Sequence, residues 1–135
     1  MTTSIEPGQE LPGFSHVFTR ADLVRYAEAS GDDNPIHLDD EKAAELGLPG
    51  VIAHGMLTMG TALRVVTDWI GDPARVVSYQ VRFTKPVVVD PLTGAEVSFG
   101  GRVTAVNDGI AKVSLEATCA GVKVLGAAVA EVRLD

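Results

Sequence analysis

The segment Gly55–Ile70 (GMLTMGTALRVVTDWI) constrains the fold most, because helical periodicity here coincides with an unusually wide apolar surface. A helix that is apolar nearly all round is typically buried. Gly71-Asp72-Pro73 ends the pattern. We therefore expect a central helix that the rest of the chain encloses. The apolar residues of this stripe, spaced three and four apart or flanking those positions, are Met56, Met59, Leu63, Val66 and Ile70, with Leu57, Val65 and Trp69.

The sequence after this helix has the pattern of β-strands. Apolar and polar residues alternate over 76–84, 95–106 and 110–119, and Asn107-Asp108-Gly109 is a strong hairpin signal. A last strand at 122–134 is apolar on both faces in its middle, as in a central strand that is covered on two sides. Helices followed by a meandering antiparallel sheet indicate the α+β class, with the sheet wrapped around the central helix.

The N-terminal part combines an irregular segment with helical signals. Residues 1–13 are rich in proline and glycine and are expected to be irregular, and a short edge strand is expected at about 14–18. Thr19 is a good N-cap, in a capping box, for a helix over 20–30. Three acidic residues then precede a short helix that is expected over 42–46.

Composition excludes several classes of function. The 135 residues include 11 basic and 18 acidic side chains, for a net charge of −7, and no basic stripe that could bind nucleic acid is present. The N-terminal residues MTTSIEPGQELPG lack the charged-then-apolar form of a signal peptide, no segment reads as a basic amphipathic helix, and no apolar run approaches the ~18 residues of a membrane span. We expect a single domain over residues 1–135, soluble and cytoplasmic, with no nucleic acid and no membrane as partner.

The chemistry is expected in the stretch SGDDNPIHLDDEKAAELGLPGVIAHGML at residues 30–57. Asp32, Asn34 and His37 share a short turn that contains a proline, and His54-Gly55 follows seventeen residues later, where the apolar helix begins. A carboxyl group and an imidazole five positions apart are a candidate acid/base pair. The backbone N–H groups of the helix start are a candidate site for developing negative charge.

These residues, in the segments SGDDNPIH and AHGMLTMG, resemble the MaoC-like (R)-specific hydratase/dehydratase family, whose fold is the hot-dog fold. The likeness covers nearly the whole chain, including RFTKPV at 82–87, and is closest to the catalytic B subunits of actinobacterial (3R)-hydroxyacyl-ACP dehydratases. The resemblance implies a single hot-dog domain that interconverts (3R)-hydroxyacyl and trans-2-enoyl thioesters. The most specific expectation is the dehydration step of type II fatty acid synthesis.

The resemblance also implies the roles of individual residues. For dehydration, His37 is expected to remove the proton from the α-carbon and Asp32 to protonate the leaving hydroxyl, although the reverse assignment remains open. The backbone of Gly55 is expected to stabilise the thioester oxyanion. Asn34 and His54 are expected to support the site. We expect substrate contacts from Ile52, Met56 and Met59, and neither a metal nor a cofactor other than the phosphopantetheine carried by the substrate.

An acid that works near neutral pH must have a raised pKa. The ordinary pKa of an aspartate is about 3.9, and burial in an apolar pocket raises it because burial disfavours the charged form. We expect such a pocket around Asp32. Its expected walls, all apolar and close in sequence, are Ile36, Val51, Ile52 and Met56.

Several alternatives remain open at this point. The carrier of the acyl group is either acyl carrier protein or CoA, and the reaction is either a biosynthetic dehydration or an enoyl-CoA hydration that feeds other pathways. A thioesterase and a non-catalytic acyl-binding subunit are alternatives of other classes. An open sheet edge favours pairing, so the chain is expected to form a homodimer or a heterodimer with a related hot-dog subunit.

Overall fold

The computed structural model describes residues 5–135. Helices and strands follow the expected order, and two short 3-10 turns occur at Pro35–His37 and Pro73–Arg75. Among the described residues, no helix combines the length and the apolar character that crossing a membrane requires. The elements are β1 (Glu10–Phe18), α1 (Arg20–Ser30), α2 (Asp40–Glu45), α3 (Gly55–Ile70), β2 (Val76–Phe83), β3 (Ala95–Asn107), β4 (Ile110–Cys119), β5 (Val122–Lys123) and β6 (Leu125–Arg133).

All described strands belong to one antiparallel sheet that curves around one side of α3. The strand order is β1-β3-β4-β6-β2, with β5 paired to β4. Because α3 contacts all five of the longer strands, the sheet must curve around it. The prediction of an α+β fold with a sheet wrapped around the central helix is therefore confirmed.

The local signals of α1 act as expected. The Thr19 hydroxyl accepts a hydrogen bond from Asp22 N–H at 3.1 Å, and the Asp22 carboxylate accepts one from Thr19 N–H at 2.9 Å. The helix therefore covers residues 20–30 as predicted, and α2 begins two residues earlier than predicted. The irregular segment was predicted too long, because β1 begins at Glu10 and pairs with β3 around a register shift. Residues 1–4 of that segment lie outside the described residues.

The hairpin between β3 and β4 follows its sequence signal. Asp108 (φ 52°) and Gly109 (φ 75°) both adopt the left-handed conformation, as a tight type I′ turn requires. Such a turn has the same twist as the strands that it joins. It therefore fixes the register in which Asn107 pairs with Ile110.

The buried face of α3 differs from the predicted stripe. Its fully buried residues are Thr58, Ala62, Val65 and Val66, whereas Met56 is 59% exposed. The sheet covers α3 from one side only, so the apolar residues on the other side remain partly exposed in the single chain. The last strand shows the same effect: β6 is central, but its outer face is not fully covered, and Ala127 is exposed.

Candidate active site

The turn after α1 is shaped by its own polar side chains. The Asp32 carboxylate accepts a hydrogen bond from Asn34 N–H, and the Asn34 side-chain oxygen accepts one from Ile36 N–H, each at 3.2 Å. These are the contacts by which Asx residues stabilise turns. Asn34 thereby caps the 3-10 turn that carries His37.

His37 projects from this turn into the protein and is 8% exposed. Its Nδ1 lies 2.7 Å from the carbonyl oxygen of Ile52. A carbonyl only accepts hydrogen bonds, so Nδ1 carries the hydrogen, and the neutral form of the ring is the tautomer with its lone pair on Nε2. This tautomer can act as a base through Nε2.

His54, the N-cap residue of α3, is 1% exposed and lies beside His37. Its Nε2–H donates to the backbone carbonyl of Asp32 at 3.1 Å, while its buried Nδ1 has no hydrogen-bond partner among the described residues. The two imidazoles stack with centroids 3.9 Å apart, and the ring of Tyr26 meets His54 edge-on at 4.7 Å. Burial lowers the pKa of His54, and the neighbouring His37 acts in the same direction, against the opposing effect of the bond to Asp32.

The carboxyl group and the imidazoles are close together. One carboxylate oxygen of Asp32 and one nitrogen of each histidine lie within 4.8 Å of one another. The Asp32 side chain itself is exposed, however, so the expected apolar walls do not enclose it in the single chain. The expectation that neighbouring residues bury Asp32 is wrong for this chain alone, because Val51 packs into the core and Met56 points to solvent.

The same three side chains fit a metal ion poorly. Nδ1 of His37 and Nε2 of His54 already donate hydrogen bonds, which leaves one lone pair on each ring. Imidazole lone pairs lie in the ring plane, and the two planes are stacked with an interplanar angle of 24°. Because the two rings are nearly parallel and their centroids are 3.9 Å apart, an ion that lies in the plane of one ring is out of the plane of the other, and the free lone pairs do not converge on it.

A cavity of about 290 Å³ lies next to His37 and the start of α3. Gly55 lines it, and the N–H of Gly55 donates to no backbone carbonyl or side chain among the described residues. Of the expected substrate contacts, only Ile52 lines this cavity. Met56 is exposed outside it, and the backbone carbonyl of Met59 accepts a hydrogen bond from the Tyr79 hydroxyl at 2.7 Å.

Sequence reasoning did not identify most of the cavity wall. The hydroxyl-bearing Thr58 lines it from the first turn of α3, and residues 83–87 line it from the end of β2 and the segment that follows. Val124 and Leu125 line it next to Phe83 and Thr84, with which they pair. The one available signal was the compact run RFTKPV, which ends an alternating strand with a threonine, a lysine and a proline.

Comparison with known proteins identifies the family. The MaoC like domain matches residues 4–119, which is most of the chain. The chain belongs to this family. Its hot-dog fold is the one that the sequence predicted.

One curated relative is the 3-hydroxyacyl-thioester dehydratase X of Mycobacterium tuberculosis (strain ATCC 25618 / H37Rv). It is 42% identical over 82 residues, which are 61% of this chain and 28% of the relative. The chain thus spans little more than a quarter of the length of that relative.

Solved structures agree with the assignment of the chain to the MaoC-like family. A MaoC-like dehydratase is 41% identical with a TM-score of 0.94, and the match covers 97% of this chain and 41% of that one. The (R)-hydratase from A. caviae involved in PHA biosynthesis is 27% identical with a TM-score of 0.85, over 99% of this chain and 100% of that one. A chain of the ChsH1-ChsH2 complex from Mycobacterium tuberculosis is 28% identical with a TM-score of 0.83, over 95% and 98% of the two chains.

Proposed function

We propose that this protein is an (R)-specific hydro-lyase that interconverts (3R)-hydroxyacyl and trans-2-enoyl thioesters. The observation that carries the proposal is the hydrogen bond from Nδ1 of His37 to the Ile52 carbonyl, which leaves Nε2 free on a ring that borders a cavity also lined by Gly55. The Asp32 carboxylate is close to the same imidazoles. Relatives that are named as a 3-hydroxyacyl-thioester dehydratase and an (R)-hydratase support it.

Each step of the dehydration has a group to perform it. Nε2 of His37 accepts the α-proton, and the electron pair of that C–H bond moves toward the thioester oxygen, where the N–H of Gly55 stabilises the charge. When the enolate collapses, the C–O bond at the β-carbon breaks and the hydroxyl takes a proton from the Asp32 carboxyl to leave as water. Proton transfer from His37 to Asp32 restores both groups, and hydration is the reverse sequence.

His54 has a positioning role in this proposal. It holds the loop of Asp32 through the backbone carbonyl and supports the ring of His37 by stacking. Its lowered pKa keeps it neutral at pH 7, so it does not add a second positive charge when His37 accepts the proton.

A partner subunit completes the site in this proposal. Asp32 is exposed in the single chain, but an acid that donates a proton near neutral pH needs a less solvated environment. β1 and β2 both have one unpaired edge in the sheet, and Val77 on β2 is 59% exposed. The ChsH1-ChsH2 complex is a precedent for assembly, so we propose a homodimer or a heterodimer with a related subunit.

The proposed substrate carries its acyl group on phosphopantetheine, in CoA or in acyl carrier protein. Lys85 lines the cavity and places one cation near the entering thioester in a chain whose net charge is −7. We place the reaction first in fatty acid synthesis, because a relative that is 38% identical over 96 residues is named as a fatty acid synthase subunit. Hydration of enoyl-CoA for another pathway is the second candidate, favoured by the full-length match to an (R)-hydratase.

The test is hydration of crotonyl-CoA and of crotonyl acyl carrier protein by the purified protein, alone and with a candidate partner subunit. Formation of the (3R)-hydroxy product supports the proposal, and Asp32→Asn should abolish most of the rate. Asp33→Asn is the matched control, because Asp33 is the exposed neighbour of Asp32 and is not assigned to the site. A near-wild-type rate in Asp32→Asn would overturn the assignment, and release of free thiol from the thioester would indicate a thioesterase.

A further inference from the structure

The aromatic ring of Phe83 stands against the backbone of Gly55. Phe83 is the last residue of β2, lines the cavity and is 55% exposed. A Cβ added to Gly55 would lie 3.0 Å from both Cε1 and Cζ of the ring, closer than ordinary van der Waals contact. The absence of a side chain at position 55 therefore leaves room for this ring as well as for a substrate.

The backbone that carries Phe83 is fixed on both sides. Phe83 pairs with Leu125 of β6. The next residue, Thr84, donates from its N–H to the Val124 carbonyl at 3.2 Å and from its hydroxyl to the Lys123 carbonyl at 3.1 Å. Three residues further on, the Val87 carbonyl accepts a hydrogen bond from Ala53 N–H at 2.8 Å. Movement of the Phe83 ring is thus limited to rotation about its own side-chain bonds.

We propose that Phe83 is a specificity-determining residue that selects for thioesters without a branch at the α-carbon. The inference rests on the proposed function, in which the thioester oxygen is bound by the N–H of Gly55. The carbonyl carbon and the α-carbon must then lie within a few bond lengths of Gly55, between the ring of Phe83 and the imidazole of His37. A methyl group on the α-carbon competes with the ring for this space.

The size of the effect follows from packing. One methyl group more or less in an apolar pocket changes kcat/KM by about 10- to 200-fold. The wild-type protein should therefore prefer an unbranched substrate by at least about tenfold. Removing the ring should remove most of this preference.

The experiment compares crotonyl-CoA with 2-methylcrotonyl-CoA in the wild type, Phe83→Leu and Phe83→Ala. The measured quantity is the ratio of their kcat/KM values, which is independent of the amount of active protein. The ratio should fall by about tenfold or more in Phe83→Ala and by less in Phe83→Leu. Val24→Ala is the matched control, because Val24 is an apolar residue of α1 that is 48% exposed and lies neither on the cavity wall nor on an edge strand, and its ratio should equal that of the wild type.

A binding measurement separates this inference from the proposed function. Butyryl-CoA and 2-methylbutyryl-CoA are not substrates for hydration, and calorimetric titration gives their dissociation constants in the same proteins. If the wild type hydrates crotonyl-CoA but the ratio does not change in Phe83→Ala, the role of Phe83 is wrong and the activity stands. If no protein hydrates crotonyl-CoA but the ring still determines the binding ratio, the role of Phe83 stands and the activity is wrong. Equal use and equal binding of both substrate classes by the wild type would overturn the inference.

Discussion

The two halves of the candidate site differ in how completely this chain builds them. In the imidazole half, His37 and His54 are buried, stack on one another and each donate one hydrogen bond to a backbone carbonyl. In the carboxyl half, Asp32 is exposed, and among the described residues its side chain accepts a hydrogen bond only from Asn34 N–H in its own turn.

This difference indicates which parts of the catalytic pair this chain supplies by itself. A histidine base needs a defined tautomer and a fixed ring, and bonds within one chain supply both. A carboxylic acid that works near neutral pH needs its surroundings to be dry, and here the surface above Asp32 is open. This chain alone thus fixes the tautomer and the ring position of the base, His37. The surroundings of the acid, Asp32, depend on what covers the surface above it.

The largest expected effect is the loss of the base. His37→Ala should lower kcat for hydration of crotonyl-CoA by about 10²- to 10⁴-fold, because general acid–base catalysis contributes that much and His37 returns the α-proton in this direction. Steady-state kinetics on the purified protein measures it. His16→Ala is the control, since His16 lies in β1, packs on Phe18 and does not line the cavity, so it should keep the wild-type rate. Retention of most of the activity in His37→Ala would mean that the buried imidazole half is not the catalytic one.

The next effect concerns His54. His54→Phe keeps an aromatic ring beneath His37 but removes the donor to the Asp32 carbonyl. Losing a buried hydrogen bond and leaving its acceptor unpaired costs about 1–3 kcal/mol. Urea denaturation should show this loss, and kcat should fall because the loop of Asp32 loses its tether. Unchanged kcat in a destabilised variant would show that His54 serves the core and not the carboxyl half.

The lowered pKa of His54 also predicts how stability depends on pH. The unfolded chain binds a proton at this residue near its ordinary pKa of about 6.5, whereas the folded protein binds it only at lower pH. The unfolded state therefore binds more protons in this window, and the free energy of unfolding should decrease as the pH falls below about 6.5. Thermal unfolding between pH 8 and pH 5 measures this slope. His54→Phe should show a smaller slope, and an equal slope in both proteins would contradict the assignment.

Local signals predicted the helices and the hairpin. The Thr19 cap determined the start of α1, and Asn107-Asp108-Gly109 determined the β3–β4 turn, since each acts through atoms a few residues away. The proximity of Asp32 to His37 followed in the same way from their spacing in one turn.

Long-range packing could not be predicted in this way. The buried face of α3 depends on which side the sheet covers, so Thr58 is buried and Met56 is not. The cavity wall joins Phe83 to Leu125, which are distant in sequence and come together only through the pairing of β2 with β6. The bond from His54 to the Asp32 carbonyl likewise connects two segments whose contact no local pattern specifies.

The smallest expected effect is at Thr19, outside both halves of the site. Thr19 caps the start of α1, and Asp32 follows the end of that helix. Thr19→Ala removes the hydroxyl that accepts from Asp22 N–H and should lower the free energy of unfolding by about 1 kcal/mol. Thr19→Ser keeps a hydroxyl and should restore most of that stability. Because α1 ends at Gly31 before the turn of Asp32 begins, kcat and KM should remain at their wild-type values in both variants. If Thr19→Ala lowered kcat while the imidazole half stayed intact, the position of Asp32 would depend on α1. This chain would then contribute more to the carboxyl half than the exposure of Asp32 suggests.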